Sequence, residues 1–329
     1  MRRFDSFRGR PPPRRTPTEP EGPLDARPRA LLIENPSATA TSADLRDLIA
    51  AALASEVELE VAATKRRGHA LHLAAGAVDA DLDAVIVLGG DGTANEVLQA
   101  LAGTSVALGL LPGGSTNVFA RALGAPNDPV AATRRLRSAL REGRTRRIGL
   151  GRAGERWFGF NAGLGFDGAV VRHVEQRTSL KRALRQGAFV WGTLREWAIG
   201  PERRAPSVRV ELADGTGWGP VAIALVATTD PYTYLGPRPI RLHPRADFDR
   251  GLDLLTVDAV PTVRLAAIVA AAMRDGRHTT MPGVHYAHDL EGLTLSAPSP
   301  LALTVDGDYA GEHLAVTFRA VPDALRVLV

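Results

Sequence analysis

The chain of 329 residues contains no cysteine and only two lysines, Lys65 and Lys181. Without cysteine, a disulfide framework, a thiolate metal site and a cysteine nucleophile are all excluded. A lysine-dependent phosphate loop is excluded as well, because no G-x-x-x-x-G-K-[ST] pattern occurs. The longest apolar run, residues 265–273, is too short to cross a bilayer. We therefore expect a cytoplasmic protein that is soluble or bound peripherally to the inner face of the membrane.

Positive charge is concentrated at the start of the chain. Residues 1–29 contain eight arginines against four acidic residues, a surplus of +4 that equals the net charge of the whole chain. Seven prolines in the same stretch oppose regular structure. We therefore predict a disordered arm over residues 1–28. A solvated tail is the favoured interpretation, membrane contact is the alternative, and no nucleic-acid partner is expected.

Strands alternate with helices in the first part of the folded chain. Apolar segments at residues 29–33, 57–62, 83–88 and 107–111 predict strands with helical spacing between them, and Ser42 or Thr41 is placed to cap the first helix. This alternation is typical of a doubly wound parallel sheet. After Arg147, short strands separated by Gly, Pro and Asp favour an antiparallel β domain. The predicted fold class is α/β + β, with a nucleotide-binding domain over residues 29–148 and a second domain over residues 149–329, whose last segment is a candidate to return to the first domain.

Three turns rich in Gly, Ser, Thr and Asn follow predicted strands, at residues 35–39, 89–93 and 113–117. Ligands of doubly wound folds bind beyond the carboxyl ends of the strands, so we expect the three turns to meet there. Glycine lets a ligand approach the backbone closely, and a helix N-terminus presents free N–H groups to a phosphate. The sequence therefore predicts a nucleotide site at this edge.

Asp91 lies within the second of these turns. A carboxylate in an anion site is explained if a divalent cation lies between it and the phosphates, which makes Asp91 the candidate Mg²⁺ ligand. The alternative is an ordinary strand-to-helix turn with an aspartate cap. No G-x-S-x-G pattern of hydrolases occurs. His285 and His288 have ligand spacing without a third ligand, and we interpret them as surface residues.

Seven motifs follow one another along the chain: Asn35-Pro36-Ser37-Ala38, Thr64 with Gly68-His69-Ala70, and residues 89–96, 112–121, 161–167, 243–247 and 305–308. In this order they resemble the diacylglycerol kinase catalytic domain, in its bacterial soluble lipid-kinase branch. The resemblance spans about residues 29–320. The G-G-D-G-T segment alone is less specific, because NAD kinases share it.

The resemblance implies a lipid kinase with ATP in the cleft between the α/β domain and a β-sandwich lipid-substrate domain, and with transfer of the γ-phosphoryl group to a lipid hydroxyl at the membrane surface. It also implies catalytic Mg²⁺ at Asp91 and a homodimer formed through the second domain. The residues implied to hold the nucleotide are Asn35, Pro36, Ser37, Ala38, Thr39, Thr64, Gly89, Gly90, Asp91, Gly92, Thr93, Ala94, Asn95, Gly114, Ser115, Thr116 and Asn117.

The family's catalytic base is the third residue of an Asp-Gly-Glu motif, and this chain has Asp308 there. Aspartate is one methylene shorter than glutamate, so the resemblance leaves the role to Asp308 or to Asp306. Arg250 occupies the position of a ligand in the branch's structural Mg²⁺ site, and we expect that second metal to be absent.

Two other functions compete with the lipid kinase. An NAD kinase would use the same glycine-rich turn on a soluble ribose, but the motifs of the second half follow the lipid-kinase order. A catalytically silent ATP-binding regulatory protein is the other alternative, motivated by Asp308 and Arg250. The sequence does not name the lipid. Candidate membrane contacts are the arginine-rich arm and a helix predicted over residues 179–199, where Leu180, Leu184 and Trp191 form an apolar stripe.

Overall fold

The structure is a computed structural model, and it describes residues 27–36, 38, 42–165, 207–259, 261–274 and 276–329. Most of the predicted arm, the predicted helix over residues 179–199, and the candidate nucleotide residues Ser37 and Thr39 lie outside the described residues.

Four parallel strands form the first part of the sheet, in the order β4-β3-β1-β2. Helices cover both faces, with α2 and α3 on one side and α1 and α5 on the other. The elements are β1 (Arg29–Glu34), α1 (Ala43–Ala54), β2 (Glu58–Ala63), α2 (His69–Asp79), β3 (Ala84–Gly89), α3 (Asp91–Leu101), β4 (Ala107–Pro112), α4 (Val118–Ala122) and α5 (Pro129–Glu142).

Local sequence explains these elements. All six residues of β3 are buried, as expected of a central parallel strand covered on both faces. Ser42 caps α1 by accepting a hydrogen bond from the Leu45 N–H, which confirms one of the two predicted caps. Asp128 caps α5 in the same way, and Gly143 ends that helix in the left-handed conformation.

Mostly antiparallel strands make up the second part of the chain. They are β5 (Thr145–Ala153), β6 (Arg156–Phe158), β7 (Asn161–Gly165), β8 (Val208–Leu212), β9 (Gly217–Val221), β10 (Ile223–Ala227), β11 (Thr233–Leu235), β12 (Arg238–Ile240), β13 (Leu252–Val257), β14 (Val284–Leu290), β15 (Gly292–Val305) and β16 (Asp308–Leu328), with helix α6 (Thr262–Arg274) and a 3-10 turn at Arg277–Thr280. The parallel α/β part followed by an antiparallel β part confirms the predicted fold class.

Strand β16 connects the two parts of the molecule. It pairs with β15 and β5, and near its end Val327 pairs in parallel with Leu108 of β4. The sheet is therefore continuous from the α/β part into the β part. This pairing fixes the position of the first residues of β16 relative to the carboxyl ends of β3 and β4.

Three features differ from the predicted elements. Helix α3 begins at Asp91, so the glycine-rich turn is shorter than expected and Asp91 lies in the first helical turn. The apolar run at residues 265–273 belongs to helix α6, which no predicted element covered. Strand β15 is longer than the short strands predicted for this part, because a register shift after Ser296 lets one strand continue. Within the described part of the chain, no helix has the length and apolarity needed to cross a membrane.

Candidate active site

The three predicted turns meet at the carboxyl edge of the parallel strands. The Asn35 side-chain amide donates to the Thr93 hydroxyl at 3.1 Å, and the Gly113 N–H donates to the Gly89 carbonyl at 2.9 Å. An ideal Cβ built on Gly113 would lie 3.3 Å from the Cβ of Ala38. The predicted meeting of the three turns is confirmed.

Backbone rather than side chain forms the floor of this edge. A Cβ built on Gly114 would lie 2.7 Å from the Gly90 Cα, closer than any real Cβ contact. Helix α3 starts after Gly90, which has no side chain to accept from the first N–H groups of the helix. This glycine cradle at a helix N-terminus fits a phosphate chain.

Asp91 occupies the first turn of α3 and is half-buried. Its Oδ1 accepts a hydrogen bond from the Phe119 N–H at 3.0 Å, so the carboxylate links α3 to the start of α4. Burial raises the pKa of Asp91 above its ordinary value, and backbone N–H groups of Val118 and Phe119 oppose that rise. The geometry shows a residue that joins two helix N-termini, while its role as a metal ligand stays a prediction.

Asn117 shapes the third turn. Its backbone is left-handed, with φ of 50°. Its side chain accepts from the Gly114 N–H at 2.8 Å and donates to the Gly114 carbonyl at 3.0 Å and to Asn127 at 2.8 Å. Asn117 is therefore a residue that holds Gly114 in place. Ser115 is exposed and Thr116 half-buried beside it.

Glu96 fixes the loop between β2 and α2. Its two carboxylate oxygens accept from the Gly68 N–H at 2.8 Å and the Ala70 N–H at 3.1 Å. Thr64, the predicted nucleotide residue of this loop, donates its N–H to the Glu34 carbonyl at 2.8 Å. The loop is thus attached both to β1 and to the helix that carries the glycine turn.

Asp306 is a buried hydrogen-bond acceptor, 4% exposed, with φ of 49°. Its carboxylate accepts from the backbone N–H groups of Gly159 (2.7 Å), Phe160 (2.9 Å) and Asn161 (3.1 Å), and from the Asn95 side chain (2.8 Å). Burial raises the pKa of Asp306 to about 6 despite these donors. The predicted nucleotide residue Asn95 is also buried, at 1% exposure, and points toward Asp306.

Asp308 lies at the start of β16, beside the N-terminus of α3. A Cβ built on Gly92 would lie 3.7 Å from its Oδ2 and 3.9 Å from its Oδ1. The side chain is partly exposed, at 21%, and its Oδ1 lies 3.5 Å from Nη2 of Arg67. Its charge also acts on Asp91 and raises the pKa of that residue. The structure therefore brings together Arg67, Gly92 and Asp308, which are far apart in the sequence.

Sequence reasoning assigned no role to several residues beside this site. Arg67 is one, and Tyr234 of β11 is another, because the Arg121 guanidinium carbon lies 3.1 Å from the centre of the Tyr234 ring. Asp230 is a third: its side chain is 7% exposed, it pairs with Arg241 at 2.7 Å, and burial raises its pKa to about 6. The sequence gives one indication for Arg67, its position between the motif residues Thr64 and Gly68. No local pattern predicts that Tyr234 or Asp230 lies near the site.

Arg250, the other departure from the family pattern, lies elsewhere in the β part. Arg250 Nη1 lies 3.5 Å from a carboxylate oxygen of Asp289. Next to it, the fully buried Asp253 accepts from Tyr286 and lies 2.7 Å from Nδ1 of His288. His285 is exposed as predicted, whereas His288 is only 13% exposed at its side chain. In the described ranges, no three His, Asp or Glu side chains form a group able to hold a metal.

An open groove of about 550 Å³ runs along α3 and the β15–β16 hairpin. Its floor contains small and apolar side chains, and its polar residues include Gln99, Arg156 and His313. Gln99 follows Gly92 by seven residues, which on a helix is the same face about 10 Å further on. Ala310, another lining residue, is two positions beyond Asp308 on β16. Two lining residues of the groove therefore belong to the same elements as Gly92 and Asp308.

Comparison with known proteins agrees with this geometry. Residues 29–153 match the family described as "Diacylglycerol kinase catalytic domain", and residues 161–329 match the family described as "YegS C-terminal NAD kinase beta sandwich-like domain". A "Diacylglycerol kinase" of Staphylococcus saprophyticus is 29% identical over 291 residues, which are 87% of this chain and 90% of that protein. A "Diacylglycerol kinase" of Staphylococcus epidermidis is 30% identical over 258 residues, 78% of this chain and 77% of that protein.

Solved structures share the fold. A putative diacylglycerol kinase from Bacillus anthracis has a TM-score of 0.73 at 19% identity, covering 93% of this chain and 98% of that one. An NAD kinase from Archaeoglobus fulgidus in complex with ATP has a TM-score of 0.50 at 12% identity, covering 92% and 93%. The matched families and the curated relatives define a lipid kinase. The chain belongs to the diacylglycerol kinase family of lipid kinases, which confirms the resemblance seen in its motifs.

Proposed function

We propose that this lipid kinase is ATP-dependent, requires Mg²⁺, and transfers the γ-phosphoryl group to the free hydroxyl of diacylglycerol or a related lipid. The observation that supports this most is the position of Asp308. A carboxylate from the β part lies against Gly92, at the helix N-terminus that fits a phosphate chain. A base beside the terminal phosphate is what transfer to a hydroxyl requires.

The nucleotide lies, in this proposal, along the edge formed by the three turns. Gly90 and Gly114 keep side chains away from the phosphates, and the first N–H groups of α3 offer hydrogen bonds to phosphate oxygens. Asn35, Thr93 and Asn117 hold the turns together through their side chains. Their contribution is to position the cradle rather than to supply charge.

Asp308 is the proposed general base, and Asp306 positions it. The Asp306 carboxylate is engaged with four donors and buried, so it is poorly placed to take a proton from an acceptor. Asp308 is partly exposed and faces the cradle. The acceptor O–H transfers its proton to Asp308 as its oxygen bonds to the γ-phosphorus and the bond to the β-phosphate oxygen breaks.

The residues present fit a bound Mg²⁺. This cation is held in most kinases by one or two carboxylates together with substrate phosphates, and Asp91 and Asp308 are hard oxygen donors whose charges already act on each other. When bound, Mg²⁺ neutralises charge on the transferring phosphoryl group. Asp91 is the proposed ligand, and replacing it with Asn should remove most turnover while the protein stays folded.

The groove beside α3 is the proposed place for the acceptor lipid. It includes Ala310, two positions beyond Asp308 on β16, and its floor is apolar. Gln99, Arg156 and His313 supply polar contacts for ester or hydroxyl groups. A groove of about 550 Å³ is the size of an ordinary ligand site, so it takes the glycerol and part of the acyl chains. The lipid is then collected at the membrane surface, with the rest of its chains outside the groove.

Radiolabelled ATP tests the proposal against diacylglycerol, phosphatidylglycerol and sphingoid bases in mixed micelles, with NAD as a soluble acceptor. We expect labelled lipid that depends on Mg²⁺, and a loss of at least about 100-fold in kcat for Asp308→Asn. Asp323→Asn, at an exposed position of β16, is the control and should turn over normally. Labelled NAD without labelled lipid would replace the proposal with an NAD kinase. ATP binding without transfer to any lipid would leave a regulatory protein.

A further inference from the structure

We infer that Arg67 is a second catalytic residue, one that contacts the γ-phosphate of ATP and pairs with the base Asp308 before ATP arrives. This inference rests on the proposed kinase function. Arg67 lies between Thr64 and Gly68-His69-Ala70, the residues of this loop that resemble the family, and the resemblance implies no role for it. The tertiary structure brings the guanidinium to the base.

Arg67 lies beside the phosphate cradle, on the side where the β part contributes Asp308. Its Nη2 lies 3.5 Å from Oδ1 of Asp308, and the other oxygen of that carboxylate faces Gly92. The Arg67 side chain is 62% exposed, so a short rotation toward a ligand at the helix N-terminus requires no repacking of the core. An arginine fork suits two phosphate oxygens at once.

The loop that carries Arg67 is fixed to the same helix as the glycine turn. Glu96 of α3 accepts hydrogen bonds from the N–H groups of Gly68 and Ala70, two of the three residues that follow Arg67. Gly68 is left-handed, with φ of 81°, and begins helix α2. The Arg67 backbone is therefore held at a fixed distance from the cradle, while the side chain can rotate.

Charge balance favours such a role. The chain has lysine only at positions 65 and 181 and lacks a phosphate-loop lysine, so arginine has to supply cationic contacts to the phosphates. Arg121 approaches from the α4 side, where its guanidinium stacks on Tyr234 and its charge acts on Asp91. Arg67 approaches from the Asp308 side. The two arginines flank the turn.

The reaction explains why the contact with Asp308 is useful. Without nucleotide, the opposite charge of the Asp308 carboxylate holds the Arg67 guanidinium beside the cradle. When the γ-phosphate binds, the guanidinium turns to its oxygens and stabilises the charge that spreads there during transfer. The acceptor proton goes to Asp308, the acceptor oxygen gains the phosphoryl group, and ADP leaves. Arg67 neither gains nor loses a proton or a phosphoryl group in this step.

Nucleotide affinity tests the inference separately from lipid turnover. The variants are Arg67→Ala and Arg67→Lys, with Arg66→Ala as the matched control, since Arg66 is the adjacent exposed arginine. Calorimetry with Mg²⁺ and a non-hydrolysable ATP analogue should show about tenfold weaker binding for Arg67→Ala. ADP binding should stay within twofold, because ADP lacks the γ-phosphate. Equal effects on the two nucleotides, or no effect on either, would overturn the inference even if the protein is a kinase.

Steady-state kinetics supply the second readout. Arg67→Ala should lower kcat about 100-fold, Arg67→Lys should recover part of it, and Arg66→Ala should match the wild type. An unchanged kcat in a folded Arg67→Ala variant, with folding shown by an unchanged melting curve, would contradict the proposed role of Arg67. If the wild type phosphorylates no acceptor, the kinase proposal fails, and the binding comparison still decides the γ-phosphate contact.

Discussion

The Asn95 side-chain amide of helix α3 donates to Oδ2 of Asp306 at 2.8 Å, across the boundary between the α/β part and the β part. The same carboxylate receives three consecutive backbone N–H groups from residues 159–161. One buried side chain therefore joins the helix that follows the glycine turn to the strands that precede Asp308. The position of the proposed base depends on this junction.

Replacing Asp306 with Ala should lower the free energy of unfolding by about 3 kcal/mol or more, because it leaves several buried donors without an acceptor. Urea denaturation measures the change. Asp323→Ala is the matched control, since Asp323 also has positive φ, 52°, but is exposed. A comparable loss in both variants would assign the effect to backbone strain. We also expect Asp306→Ala to turn over slowly wherever it remains folded, because Asp308 is displaced.

Stability should fall as pH rises from about 4 to about 6. Burial raises the pKa of both Asp306 and Asp230 from 3.8 to about 6, so in this window the folded chain binds protons that the unfolded chain has released. The resulting stabilisation is complete below pH 4 and is lost through pH 6. Asp230→Asn should show a shallower decline in urea denaturation across that window. Parallel curves of the free energy of unfolding against pH for the wild type and Asp230→Asn would show that Asp230 does not contribute to the decline.

Gly114→Ala should destabilise the protein by about 1–3 kcal/mol and abolish nucleotide binding, because the new Cβ meets the Gly90 Cα at 2.7 Å. Gly76→Ala is the opposite case. Gly76 lies in the exposed face of α2, a Cβ there has nothing within 4 Å, and alanine favours a helix by about 1 kcal/mol. Thermal melts and ATP titration should separate the two variants. Normal ATP binding by Gly114→Ala would show that the cradle does not hold the phosphates.

Ala315→Trp should raise the apparent KM for the lipid about tenfold, equivalent to about 1.4 kcal/mol, and leave the KM for ATP unchanged. Ala315 is exposed and lines the groove beside α3, so the indole fills space without disturbing the core. Leu314→Trp is the control, because neighbouring residues of a strand point to opposite faces and Leu314 is already 56% exposed. A similar change in both variants, or in neither, would place the acceptor elsewhere.

Local sequence determined much of the fold. Apolar runs specified the parallel strands, Ser42 and Asp128 specified helix starts, and Gly143 specified a helix end. These features are predictable because they depend on neighbours within a few residues. The meeting of the three turns was predictable too, since strand direction alone places them at one edge.

The motifs also indicated which residues approach the phosphates, because the order of short patterns along the chain is itself specific. They left the choice between Asp306 and Asp308 open. Both residues are aspartates, two positions apart on the same hairpin, and nothing local distinguishes them. In the structure Asp306 is buried and accepts four hydrogen bonds, whereas the Asp308 side chain is 21% exposed beside Gly92, and this difference is the basis for proposing Asp308 as the base.

Contacts between distant segments were decided only by the tertiary structure. Strand β16 pairs with β15, β5 and β4, and this register sets the distance from Asp308 to Gly92 and Arg67. The stacking of Arg121 on Tyr234 depends on the same arrangement of the two parts. Such distances follow from how a continuous sheet and its buried hydrogen bonds fit together, and no pattern of adjacent residues encodes them.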